Sequence, residues 1–132
     1  MDQRIMMGKE TLDDIKKRAR FKLPWIADAI WIEPLIEEIL HIARTIFSQT
    51  QDETVIWDNI CIGSDYDGMI TPIKAYRNAE SFPKLNKMIF ERLRKRINRE
   101  PFLTNKSDSE IREITDKIIW KNALGFLRKH YI

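Results

Sequence analysis

The chain has 132 residues, room for one domain of ordinary size and not for two. Hydrophobic residues make up 43% and charged residues 33%, no apolar run approaches the ~20 residues of a membrane span, and a net charge of +3 is too small to imply a nucleic-acid partner by itself. The single cysteine, Cys61, excludes an intrachain disulfide and a cysteine-based zinc site. The opening MDQRIMMGKE has no apolar core with a small-residue cleavage site, so no cleavable signal peptide is expected in it, and a cytoplasmic location is favoured.

Residues 1–7 read as the end of an apolar stretch with strand character, broken by Gly8. A short helix is expected from Thr11, with Asp13 and Asp14 in its first turn and basic residues after them, an order that suits the helix dipole; Pro24 ends it. The apolar segment to Pro34 reads as a loop with a helical turn. Pro34 then takes the first position of a helix over 34–49, in which Leu35, Ile36, Ile39, Leu40, Ile42, Ala43, Ile46 and Phe47 recur with helical periodicity. Its other face is Glu37, Glu38, His41, Arg44 and Thr45.

After a polar loop over 48–54, residues 55–63 are rich in β-formers, and Asn59–Gly63 is expected to be a strand apolar on both faces, as in a parallel sheet covered by helices. A glycine-flanked turn and a long loop follow. Ser81 and Pro83 open a helix to about Asn98, with Leu85, Met88, Ile89, Leu93 and Ile97 inward. Ser107 and Glu110 have capping-box spacing before a last helical stretch interrupted near Trp120–Gly125. The order is a helix-rich α/β pattern with too few strands to make a sheet. Its helices must pack on one another or on strands outside this chain.

Charge is unevenly placed. Residues 84–99 are basic, with Glu91 the one acid, whereas Glu33, Glu37 and Glu38 make an acidic region. Solvated helix faces are the plain reading of both. Cys61, inside the expected strand, reads as a small buried hydrophobe, the tryptophans as packing residues, and His41 and His130 as surface residues without metal-binding spacing.

The informative stretch is Asn59-Ile60-Cys61-Ile62-Gly63-Ser64-Asp65-Tyr66-Asp67-Gly68. It runs from a buried strand into an acidic residue, the place where α/β barrels carry catalytic groups; Gly63 would allow a close approach and Gly68 a turn. Taken without further context, Asp65 and Asp67 are also good turn residues.

IGSDYDG resembles the eighth-strand motif of the membrane (renal) dipeptidase family of the amidohydrolase superfamily. LIEEILHIARTI resembles the family's preceding helix, Phe82-Pro83-Lys84-Leu85 the start of a later one, and Asn122 the asparagine of its closing helix. Asp2-Gln3-Arg4-Ile5 resembles the end of its seventh strand. The likeness spans nearly the whole chain but only the last quarter to third of the family's barrel. It implies that residues 1–132 form a single partial domain, the C-terminal part of a metal-dependent hydrolase of (β/α)8 TIM-barrel fold: about its last two strands with their helices.

The resemblance further implies a zinc-dependent dipeptidase-like activity in the intact protein, acting on a dipeptide or related small amide. Asp65 matches the family's proton-handling aspartate; Tyr66 and Arg4 are candidates for substrate contact. No family zinc ligand falls in this chain, so neither zinc nor activity is expected of it alone. The other barrel strands would come from the same or another polypeptide. The basic insertion over 92–110 departs from the family pattern and bears on substrate more than on fold. A rival reading is a non-catalytic helix-rich interaction module whose basic 84–99 helix binds an acidic partner or RNA.

Overall fold

The computed structural model describes the backbone of residues 24–64 and 76–132, and the side chains within those ranges from residue 30 onward. The expected strand at 1–7, the helix from Thr11 and the turn at 65–68 lie outside the described residues.

The first helix, α1, runs over Pro24–Thr50 and is longer than expected. The segment before Pro34, expected as a loop, is helical, and Pro34 lies inside the helix. Lacking an N–H, Pro34 cannot donate to the Ile30 carbonyl, a loss of ~3 kcal/mol in a helix interior. Ile32 and Ile36, both fully buried on the adjoining turns, hold the chain helical through tertiary packing. The buried stripe continues through Ile39, Leu40 and Ala43, while Ile42, expected on it, is 42% exposed. Its phase sets it beside exposed His41 and Thr45.

Gln51, with φ of 53°, turns the chain out of α1. Asp52 then caps α2 (Glu53–Asp58) by accepting from the Thr54 N–H at 2.9 Å and the Thr54 hydroxyl at 2.7 Å. This cap winds the β-prone Val55, Ile56 and Trp57 into a helix. A 3₁₀ turn at Ala79–Ser81 leads into α3 (Phe82–Arg94). Ser81 stands at the N-cap without capping; its hydroxyl lies 3.0 Å from Asn78 Oδ1. The helix expected to reach Asn98 ends at Arg94 and continues as turns.

A second 3₁₀ turn, Pro101–Leu103, carries Phe102 and Leu103 into the core. Helix α4 (Asp108–Asp116) begins with the expected capping box: the Ser107 hydroxyl accepts from the Glu110 N–H, and the Glu110 carboxylate accepts from the Ser107 N–H. The interruption expected near Trp120–Gly125 falls earlier, as a π-helical turn at Lys117–Lys121, and residues expected to break the helix belong to α5 (Asn122–Tyr131).

The core lies between α1, α2, α3, α4 and the π turn. Ile36 and Leu40 meet Ile89, Leu93, Ile111 and Ile118 in one cluster. At one end Phe102 packs between Phe47 and Trp57 in tilted, edge-on contacts, with ring centroids 5.8 Å from each. Among the tryptophans with described side chains, Trp57 is buried, but Trp31 and Trp120 are exposed, contrary to the expectation that they pack inward.

No strand occurs among the described residues, so their observed class is helical rather than α/β. The strand expected at Asn59–Gly63 is not formed. A strand is defined by its ladder of backbone bonds, and here the Ile62 N–H donates to Ile118 of the π turn.

Candidate functional site

Asp65, Tyr66, Arg4 and Asp67 lie outside the described residues. The described chain ends its approach to Asp65 at Ser64. Along that approach burial alternates: Ile60 is buried and Ile62 and Ser64 half-buried, whereas Asn59, Cys61 and Gly63 are exposed. A period of two is that of an extended backbone. One face of the segment is set against the helices and the other is open. Cys61 falls on the open face, which corrects the expectation of a buried thiol. Gly63 is not required by crowding, since a Cβ there meets nothing within 4 Å.

The π turn fixes the segment's inner face. The Asn122 N–H donates to Lys117 O, five residues back. In an α-helix it would donate to Ile118 O. That carbonyl instead accepts from the Ile62 N–H at 3.1 Å. The Asn122 side chain completes the attachment, its amide donating to Trp57 O at 2.7 Å and Ile60 O at 2.8 Å. Both amide hydrogens are thereby used on backbone carbonyls.

Helix α2, which leads into the segment, is tied down from two more directions. Lys117 Nζ lies 2.6 Å from Asp58 Oδ1, and Lys106 Nζ lies 2.8 Å from Glu53 Oε2. At its start the Thr54 hydroxyl and N–H hold the Asp52 carboxyl below its usual range.

The two charge clusters of the sequence face each other. Arg92 pairs with Glu33 at 2.8 Å, and Arg96 pairs with Glu37 at 2.7 Å and Glu33 at 3.4 Å. Arg94 pairs with Asp108 at 2.9 Å, and Arg112 stacks 3.8 Å from the Phe90 ring centroid. Arg92, Arg94 and Arg96 of the basic stretch are therefore directed at acids of the same chain.

Among the described residues no three His, Cys, Asp or Glu side chains are grouped as a metal site. His41 and His130 are both exposed, and the second lies against Phe126. The described donors do not fit a zinc ion. No helix among the described residues is long and apolar enough to cross a membrane.

Comparison with protein-family models, curated proteins and solved structures gave no significant match.

The bonds of Asn122 to residues 57 and 60 depend on the π turn. Periodicity does not announce that turn. The pairing of Glu33 and Glu37 with Arg92 and Arg96 joins clusters that the sequence shows only as separate runs.

Proposed function

We propose that this chain is the C-terminal part of a dipeptidase-like amidohydrolase barrel, with Asp65 as the proton-handling carboxylate of peptide or amide hydrolysis. The observation that supports this reading is the two-sided segment 59–64. One face is fastened to a closing helix, the other is open, and the sequence runs directly into Ser64-Asp65. A barrel strand has this character, with one set of side chains against the outer helices and the alternate set lining the interior. Exposed Ile30, Trp31, Ile42 and Trp120 leave apolar helix surface for further structure to cover.

In the reaction a water oxygen bonds to the scissile carbonyl carbon while the C–N bond breaks. Asp65 accepts the proton released by the water and returns it to the leaving nitrogen. Tyr66 and Arg4 would contact the dipeptide. The zinc implied by the family resemblance would be held by residues other than the described ones.

The test uses the full polypeptide to which these residues belong, assayed on a panel of dipeptides. Asp65→Asn is expected to keep the metal content and lower kcat by ~10²–10⁴-fold. An unchanged kcat removes Asp65 from the mechanism. Dipeptide hydrolysis and bound zinc in residues 1–132 alone would refute the partial-barrel reading.

The competing RNA-binding reading is weakened by the intramolecular pairing of Arg92, Arg94 and Arg96.

A further inference from the structure

We propose that the outward side of α5 is a docking surface for an anionic lipid bilayer. The Asn122 amide, held by Trp57 O and Ile60 O, marks the side of the helix that meets the core. At about 100° per residue, Leu124, Leu127 and Tyr131 fall within ~40° of the opposite direction. Leu124 is half-buried, and Leu127 and Tyr131 are exposed. Phe126, also exposed, joins a surface aromatic cluster, its ring centroid 4.6 Å from that of His130 and 6.3 Å from that of Tyr131. No residue of α5 is buried, and from Gly125 onward every residue is exposed. The second half of the helix thus runs clear of the core and holds aromatic and aliphatic side chains in water.

Charge selects the occupant. No acidic residue follows Asp116 in the sequence, while Arg128, Lys129 and His130 stand in the last turn of α5. Arg92, Arg94 and Arg96 face acids of their own chain, but among the described residues neither Arg128 nor Lys129 is in an ion pair. A symmetric pair of α5 helices would bring these cations together with no acid between them, which disfavours a second copy as the partner. Around the helix Arg128 and His130 flank the apolar stripe on either side, and Lys129 lies behind it. This is the order of a helix lying in the plane of a membrane surface: the apolar side chains enter the headgroup boundary and the flanking cations extend to phosphate. At ten residues α5 is far short of the ~20 that span a bilayer, so it lies on the surface. Docking here is independent of the reading of Asp65, because the stripe is on the side of α5 away from segment 59–64.

The test is co-sedimentation of the full polypeptide to which these residues belong with vesicles of phosphatidylcholine alone or of equimolar phosphatidylcholine and phosphatidylglycerol. Binding is expected to the anionic vesicles and should fall along a salt series. Arg128→Gln with Lys129→Gln should weaken it by ~30-fold at low salt, from ~5-fold for each cation at the surface. Leu127→Gln with Tyr131→Ser should weaken it by ~10-fold or more through lost apolar contact. Far-UV circular dichroism and the thermal midpoint should stay unchanged in both double variants, because all four side chains are exposed.

No binding to anionic vesicles at low salt overturns the proposal, and so does equal binding to both kinds of vesicle. Binding that survives both double variants unchanged overturns it too, by assigning lipid contact to another surface. If the unaltered protein binds no vesicle and is a dimer that Leu127→Gln with Tyr131→Ser dissociates, the face belongs to a second copy. If it binds no vesicle and the same double variant lowers its thermal midpoint, another part of the same polypeptide covers the face. Either result refutes lipid docking.

Discussion

Glu100 is buried at 6% exposure and takes hydrogen bonds on both carboxylate oxygens from Arg44, whose Nε lies 3.1 Å from Oε2 and whose Nη2 reaches Oε1. A planar guanidinium matches a carboxylate in this two-point fashion, and the pair joins the last turns of α1 to the turn before Phe102. The hydrogen bond to Glu100 raises the Arg44 guanidinium above its ordinary value, against an opposing effect of burial. Arg44→Met leaves Glu100 buried without its partner and is expected to destabilise the fold by ~2 kcal/mol, less than for a fully buried pair because Arg44 is partly exposed. Urea unfolding measures this. The double variant Arg44→Met with Glu100→Met should recover much of the loss, and no recovery would show that the damage is not an orphaned charge.

Phe102 fills the space between Phe47 and Trp57 and is almost wholly buried. Phe102→Ala removes a ring that its neighbours cannot replace without moving the 3₁₀ turn, and should cost ~3–5 kcal/mol. Its thermal midpoint should fall well below that of Val55→Ala, since Val55 is exposed and leaves no cavity.

Acid sensitivity has identifiable local sources. The Ser107 N–H and hydroxyl hold the Glu110 carboxyl below its ordinary value of 4.5, and Thr54 does the same for Asp52 below 3.8. A folded-state value below the unfolded one means stability that is present above the unfolded value and lost as pH falls through the folded one. The thermal midpoint should therefore decline as pH drops below 4.5, and Glu110→Gln should flatten that decline. A Glu110→Gln curve parallel to the unaltered chain down to acid pH would assign the decline elsewhere.

The ion pairs of Glu33 and Glu37 with Arg92 and Arg96 are partly solvated, so each should contribute ~0.2–1 kcal/mol and weaken with salt. Arg96→Ala should lower the thermal midpoint slightly at low ionic strength, with the difference narrowing at about 1 M salt, where the screening length is ~3 Å. A difference independent of salt would mean that the arginine acts through packing of its stem.

Because those arginines face acids of their own chain, the 84–99 segment is expected to retain no RNA in filter binding at moderate salt. Retention that falls steeply along a salt series would restore the interaction-module reading.

Several features were legible because they depend on residues close in sequence. The Ser107–Glu110 box, the buried stripe of α1 and the inward Leu85, Ile89 and Leu93 of α3 follow from spacing within one or two helical turns. The surface placement of His41 follows in the same way. The β-rich composition of 55–63 misled at Asn59–Gly63, where no strand forms, and at residues 55–57 the cap at Asp52 prevails over β-forming side chains once Ile56 and Trp57 gain a core to enter.

What the sequence by itself determined is therefore a set of amphipathic helices, the Ser107–Glu110 capping box, and an acidic motif after an apolar run. Only the tertiary structure decided that α1 continues through Pro34, that the acidic and basic clusters meet, and that Asn122 fastens residues 57 and 60. The physical reason is range: a cap or an apolar stripe is chosen among near neighbours, whereas the Asn122 bonds join groups 62 and 65 positions apart and exist only after the helices have packed.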